Sequence, residues 1–166
     1  QQSPDDMDLS LLPRPDLVAQ LAKMAQNRVT LISAPTGSGK SVLLYQYRRQ
    51  SLPGFPCISL KLHQQDKDPI LFYRRLALCV RQQVPEFTGF ACLQHRGADS
   101  QAQAQLATDM LVVGLRQLRQ PLLIMIDNLE LLARTEWLPS FHLLLELSPA
   151  NVHWILAGRN TAALDL

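Results

Sequence analysis

Between Arg28 and Arg49 the chain runs from an apolar, β-branched stretch, Val29-Thr30-Leu31-Ile32-Ser33, through Ala-Pro-Thr-Gly-Ser-Gly-Lys-Ser (34 to 41). It then enters a helical pattern carrying Val42, Leu43, Leu44 and Tyr47. A strand that turns through two glycines straight into a helix leaves few folds open. Ala34, Gly39, Lys40 and Ser41 stand at the spacing A-x-x-x-x-G-K-S of a phosphate-binding loop, with alanine where the strict form has its first glycine. Gly37 and Gly39 can take backbone angles closed to other residues, so successive N–H groups turn inward as an anion cradle at the N-terminus of the following helix. The predicted phosphate contacts are the amides of Thr36, Gly37, Ser38, Gly39, Lys40 and Ser41. The Lys40 ammonium reaches the β/γ-phosphates and the Ser41 hydroxyl a magnesium ion. ATP or ADP with Mg is the expected ligand.

The remaining composition narrows the class. With 166 residues and 47% hydrophobic content, the chain can bury a core as one domain without disulfides. A net charge of +2 and 18% charged residues leave no basic stripe. The pairs Arg48-Arg49 and Arg74-Arg75 read as solvated helix faces, and no direct nucleic-acid binding is expected. Cys57, Cys79 and Cys92 have no C-x-x-C spacing and read as reduced thiols; His63, His95, His142 and His153 lack metal-ligand spacing. No apolar run is long enough to span a bilayer, and the start, with Asp5, Asp6 and Asp8, is unlike a signal peptide, so a cytoplasmic protein without membrane contact is expected.

Taken in order, residues 1–10 form a polar arm, anchored if at all by Leu9, Leu11 and Leu12, and 11–166 form the nucleotide-binding domain. A first helix opens at Pro15 with Leu17, Leu21 and Met24 on one face, and Asn27 is a left-handed stop. After Pro53, Gly54 and Pro56 a strand covers 57 to 62. Asp68-Pro69 caps a helix whose apolar face is Phe72, Leu76, Cys79 and Val80, ending near Pro85. Residues 86 to 98 read as a loop that Phe87, Phe90 and Leu93 dock on the body. A helix capped by Asp99 or Ser100 then presents Leu106, Met110 and Val113, widened by Leu111, Leu115 and Leu118, and Pro121 ends it. Leu122 to Ile126 is an unbroken apolar run, as in a strand buried on both faces, ending in Asp127. A helix over 137–147 buries Leu138, Phe141, Leu144 and Leu145, and a strand follows over 152–157, terminated by Gly158 and Arg159.

Strands alternating with helices imply an α/β fold, a three-layer αβα sandwich around a parallel sheet of about four core strands. Ligands bind at the carboxyl ends of such strands, and there the chain places Ser33/Ala34, Asp127 and Arg159, a phosphate loop, an acid and a base at one edge.

Three segments carry a family resemblance: Leu-Pro-Arg-Pro-Asp-Leu-Val-Ala-Gln-Leu (12 to 21), the phosphate loop, and Leu-Leu-Ile-Met-Ile-Asp-Asn-Leu-Glu-Leu-Leu (122 to 132). They resemble the STAND signal-transduction NTPases. Within that class the chain is most similar to the MalT-type, large LuxR-type bacterial transcriptional regulators, through Ile-Ser-Leu (58 to 60) and Ile-Leu-Ala-Gly-Arg-Asn (155 to 160). The resemblance covers nearly the whole chain and implies an ATP-binding switch domain of a signal-responsive activator. Such a domain works with further domains of the same regulator: a winged helix, a sensor and a DNA-binding module. Carried over by position, Lys40 holds the β/γ-phosphates, Ser41 and Asp127 the magnesium, and Arg159 senses the γ-phosphate. Arg14 belongs to the segment that borders the base. The resemblance also implies that the 29–33 strand lies beside 152–157, followed by 122–126, with 57–60 at the far edge. A fifth strand would flank the phosphate-loop strand, and the sequence stops at Leu166 before it. The open edge is then expected to recruit a second copy or the N-terminal segment.

Two departures from the family stand out. Asn128 occupies the place of a second acid and cannot act as a general base at neutral pH, so turnover should be slow or absent. Glu130, two residues on, is the remaining candidate to orient a water. Lys61 stands where an acid is common, and no mechanism attaches to it. Plainer readings stay open: a turn acid for Asp127, a surface arginine for Arg159, a helix-capping residue for Arg14 and a helix-start acid for Glu130. A small P-loop kinase is the alternative function, and a structural domain with a vestigial loop a third.

Overall fold

The computed structural model describes residues 12–51, 56–89 and 99–159. Four parallel strands, β1 (Val29–Ser33), β2 (Cys57–Lys61), β3 (Leu122–Asp127) and β4 (Val152–Gly158), form one sheet in the order β1-β4-β3-β2. This is the order that the family resemblance implies. Among the described residues five α-helices accompany them: α1 (Pro15–Met24), α2 (Lys40–Ser51), α3 (Pro69–Gln83), α4 (Ser100–Arg116) and α5 (Leu138–Leu147). Among the described residues no strand pairs with the outer edge of β1.

Side chains alternate across a strand, and the two faces of this sheet can be read residue by residue. Ile58, Leu60, Leu122, Ile124, Ile126, Val152, Trp154 and Leu156 join one core with α3, α4 and α5. Cys57, Leu123, Met125, Ile155 and Ala157 join the other with α1 and α2. Every residue of β3 is buried, which explains its unbroken apolar run between two helical layers. The same parity directs Asp127 toward the α2 side.

Local chemistry sets the helix boundaries. Asp68 accepts from the N–H groups of Ile70 (2.8 Å) and Leu71 (3.1 Å), and Pro69 supplies the first helical residue of α3. Asp99, not Ser100, caps α4 by accepting from Ala102 N–H. Asp68→Ala is expected to cost about 1 kcal/mol of stability, read as a lower urea midpoint at unchanged slope. At the other end of α5, Arg28 Nη2 donates to the carbonyls of Glu146 (2.7 Å) and Ser148 (2.8 Å), satisfying acceptors that the helix leaves unpaired.

Several expectations need correction. In α1 the buried residues are Val18 and Leu21, while Leu17 and Met24 face solvent. The helix closes at Ala25 in right-handed geometry, so Asn27 is no left-handed stop. In α4 the buried face is Ala104, Ala107, Thr108, Leu111, Val112 and Leu115, whereas Leu106 and Val113 are exposed. The face packed between α3 and α5 thus mixes Ala104 and Ala107 with Leu111, Val112 and Leu115, while Gly114 admits the backbone of Gly89 and the ring of Phe87. The helix ends at Arg116, before Pro121. Leu12 is 83% exposed and anchors nothing with its side chain; Gln46 Nε2 holds its carbonyl instead (3.0 Å). Cys79 is only half-buried on α3, and Leu138 on α5. Phe87 is buried as expected. Phe90, Cys92, Leu93, His95 and the arm with Leu9 and Leu11 lie outside the described residues.

Candidate functional site

Gly37 (φ +80°) and Gly39 (φ +84°) both adopt the left-handed region, the conformation for which glycine was singled out. The loop they shape joins β1 to α2. Among the described residues the N–H groups of Gly37, Gly39, Lys40 and Ser41 have no backbone acceptor, while Ser38 N–H donates to Pro35 (3.3 Å). Unpaired N–H groups at the head of a 12-residue helix form a cradle suited to an anion. The Lys40 ammonium curls back onto the carbonyls of Ala34 and Pro35 (2.8 Å to the latter) and toward Ser38 Oγ. Its charge is held inside the loop by neutral acceptors that an anion can displace.

Across the loop, Ser41 Oγ donates to Asp127 Oδ2, and Asp127 Oδ1 accepts the N–H of Asn128 (2.9 Å). Asp127 is 6% exposed, at the end of β3. A hydroxyl and a carboxylate in contact beside a phosphate cradle are hard oxygen donors of the kind magnesium takes, together with phosphate oxygens. These residues therefore fit the group the motif implies.

Asn128 is the single non-glycine residue of positive φ among the described residues (φ 63°, ψ 36°), a conformation asparagine tolerates better than most. Its Nδ2 donates to the Leu62 carbonyl (3.2 Å), tying β3 to the segment after β2. Arg159 and Glu130 meet directly: Arg159 Nε donates to Glu130 Oε1 (2.7 Å) and its backbone N–H to Oε2 (3.1 Å). Burial pushes the Glu130 carboxyl up, but the hydrogen bonds from Arg159 and the backbone, with the guanidinium charge, outweigh it and hold it below the ordinary value. Gly158 leaves room for this pair, since a Cβ there would stand 3.2 Å from Glu130 Oε2.

Thr36, Gly37, Gly39, Lys40, Ser41, Asp127, Glu130 and Arg159 all line one cleft of roughly 690 Å³. Arg14 and Ser38 do not line it. Arg14 lies across the loop, with Nη1 donating to the Ser38 carbonyl (2.9 Å) and the guanidinium where a Cβ on Gly39 would be, 2.8 Å away. Gln46 sets this placement by accepting from Arg14 N–H (3.3 Å) while donating to Leu12.

The end of β2 was missed as part of the site. Lys61, Leu62, His63 and Gln64 complete the cleft wall, and the signal available was their position at the carboxyl edge of a predicted strand. Arg75, expected on a solvated face, instead donates from Nη1 to the fully buried Asp66 (2.5 Å) and from Nη2 to the Lys61 carbonyl (2.7 Å). Among the described residues there is no cluster of three or more His, Cys, Asp or Glu side chains that could hold a metal ion, and Cys57 and Cys79 are free thiols. Burial raises the Cys57 thiol to about 11.

The sheet order, the loop and the Ser41–Asp127 contact define a P-loop NTPase fold. Residues 23–165 match the AAA domain family, and the chain belongs to that family. Among solved structures it is similar to the Aeropyrum pernix ORC1 protein in complex with DNA, at 16% identity and a TM-score of 0.65, over 94% of this chain and 41% of that one. It is also similar to a chain of Drosophila ORC bound to AT-rich DNA and Cdc6, at 15% identity and a TM-score of 0.55, over 90% of this chain and 46% of that one. The chain thus spans less than half the length of these two proteins, and at such identity the likeness is one of fold. No curated protein matches the sequence. No helix among the described residues is long and apolar enough to cross a membrane.

Proposed function

We propose that this domain is an ATP-binding regulatory switch of a signal-responsive transcriptional activator of the MalT-like STAND type, with slow or no hydrolysis. The observation that carries nucleotide binding is the row of unpaired amides at Gly37, Gly39, Lys40 and Ser41, with Lys40 and the Ser41–Asp127 pair beside it. The regulatory part rests on the segments at 12–21, 58–60 and 155–160 that resemble those activators.

In this reading the amides of residues 36–41 and Lys40 hold the phosphates of ATP or ADP. Ser41 and Asp127 hold magnesium, which supplies charge neutralisation of the phosphates when bound. Arg159 sits where it can meet a γ-phosphate, and Glu130 orients it. A water-orienting role for Glu130 requires that pair to open. Arg14 ties the segment before α1 to the loop, so loading of the loop is felt by the segment that borders the base.

Slow turnover has a geometric basis. Asn128 offers no base, its amide is bonded to Leu62, and Glu130 is held by Arg159. The domain serves the further domains of its regulator in the cytoplasm and itself contacts no nucleic acid, in keeping with a net charge of only +2. The edge of β1, with which no strand pairs among the described residues, is its surface for self-association or for the N-terminal segment.

Titration of ATP and ADP with magnesium, followed by phosphate release, tests the proposal. Saturable binding with turnover well below about 10 per second, the median for enzymes, is expected. Fast hydrolysis without an acceptor would contradict the switch reading, and acceptor-dependent phosphate transfer would make the domain a kinase.

A further inference from the structure

We propose that Lys61, at the carboxyl end of the edge strand β2, is a second phosphate-binding cation that makes the cleft favour a nucleoside triphosphate over the diphosphate. The inference rests on the nucleotide-binding reading above and assigns a residue to which the phosphate-loop motif gives no part.

Strand register places Lys61 directly beside Asp127, on neighbouring backbones about 4.8 Å apart. Alternation along β2 puts Lys61 on the same side of the sheet as Cys57, which packs in the α1–α2 core. That is the side on which Ser41 meets Asp127. Lys61 accordingly lines the cleft that holds Lys40 and Arg159.

Its backbone is fixed from behind. Arg75 donates one nitrogen to the Lys61 carbonyl and another to Asp66, which is 0% exposed and also accepts His63 N–H (2.7 Å). The acids around it are engaged elsewhere: Asp66 by Arg75, Glu130 by Arg159, and Asp127 by Ser41 and the Asn128 N–H. Among the described residues no carboxylate lies within ion-pair distance of the Lys61 ammonium, Asp127 included. The cleft lining thus holds three cations, Lys40, Lys61 and Arg159, against two acids, Asp127 and Glu130, an excess of positive charge that favours an anionic ligand.

Position along the sheet decides which phosphate. The cradle is at β1, one edge of the order β1-β4-β3-β2, and Lys61 is at the other, beyond Arg159 and Asp127. A phosphate chain anchored on the β1 amides meets Lys61 only with the end that extends farthest across the strands, the terminal phosphate of a triphosphate. An ammonium-to-phosphate hydrogen bond is charge-assisted and among the stronger polar contacts.

The test is calorimetric titration of Mg-ATP and Mg-ADP into the wild type, Lys61→Met and Lys61→Arg. Lys61 is exposed, and coincident thermal unfolding checks that the fold is kept. Lys61→Met should weaken ATP about tenfold, a change of about 1.4 kcal/mol, with ADP changed less than about twofold, and Lys61→Arg should restore most of the preference. Unchanged ATP affinity, or equal losses for ATP and ADP, would overturn the assignment while leaving the nucleotide site standing. A wild type that binds neither nucleotide would overturn both.

Discussion

Lys40→Ala is expected to weaken Mg-ATP and Mg-ADP by about 100-fold or more, the largest binding effect of any single substitution in this chain. The ammonium now rests on carbonyls of its own loop, Ala34 and Pro35, so a phosphate exchanges a neutral acceptor for a charged one. A charged hydrogen bond contributes roughly 1.5–3 kcal/mol, and long-range attraction to the rest of the phosphate chain adds to it. Alanine removes both terms without touching the glycines that shape the cradle. Calorimetry on wild type and variant reads the ratio directly. Equal affinities would show that the phosphates bind elsewhere.

Phe72→Ala should have the largest effect on stability. Phe72 is 0% exposed and packs against Tyr73 (5.1 Å between centroids, edge-on), Trp137 (5.1 Å) and Phe141 (5.7 Å). This aromatic cluster joins α3 to the start of α5, and Trp137 Nε1 fastens it further by donating to the Lys67 carbonyl (2.7 Å). Large-to-small replacement at such a position costs about 3–5 kcal/mol, because rigid neighbours cannot collapse into the void. Leu106→Ala on the exposed side of α4 should change stability by less than about 0.5 kcal/mol. Urea unfolding of the two variants also tests the orientation of α4: comparable losses would mean that Leu106 is in the core after all.

The contrast between those two residues shows what the sequence reveals and what it conceals. Strand positions were legible because β3 is a continuous apolar run and because the glycine loop pins β1 and α2, while their order was implied by the family resemblance. Asp127 was legible for the same reason, as the first acid after a buried strand. Helix faces were less so. In α4 the periodic pattern of Leu106, Met110 and Val113 competes with that of Ala104, Ala107, Leu111 and Leu115, and the second is the one that is buried, with Leu111, Leu115 and Leu118 in the core as expected. Arg75 looked like half of a surface pair, yet its partner Asp66 is buried within a short 3-10 turn that carries no apolar period. The Glu130–Arg159 pair joins residues 29 positions apart, a contact made only once β3 and β4 lie side by side. Arg14 was placed near the site by the resemblance of its segment to the one that borders the base, and the loop it crosses emerged from the Gly39 geometry.

The central claim is that phosphate sits on the amides between Gly37 and Ser41, and amide NMR of the wild-type chain tests it most directly. Addition of Mg-ADP should shift the N–H resonances of Gly37, Gly39, Lys40 and Ser41 most strongly, with smaller shifts at Asn128 beside Asp127. Saturation of the nucleotide signal with those four amides unmoved would contradict the account.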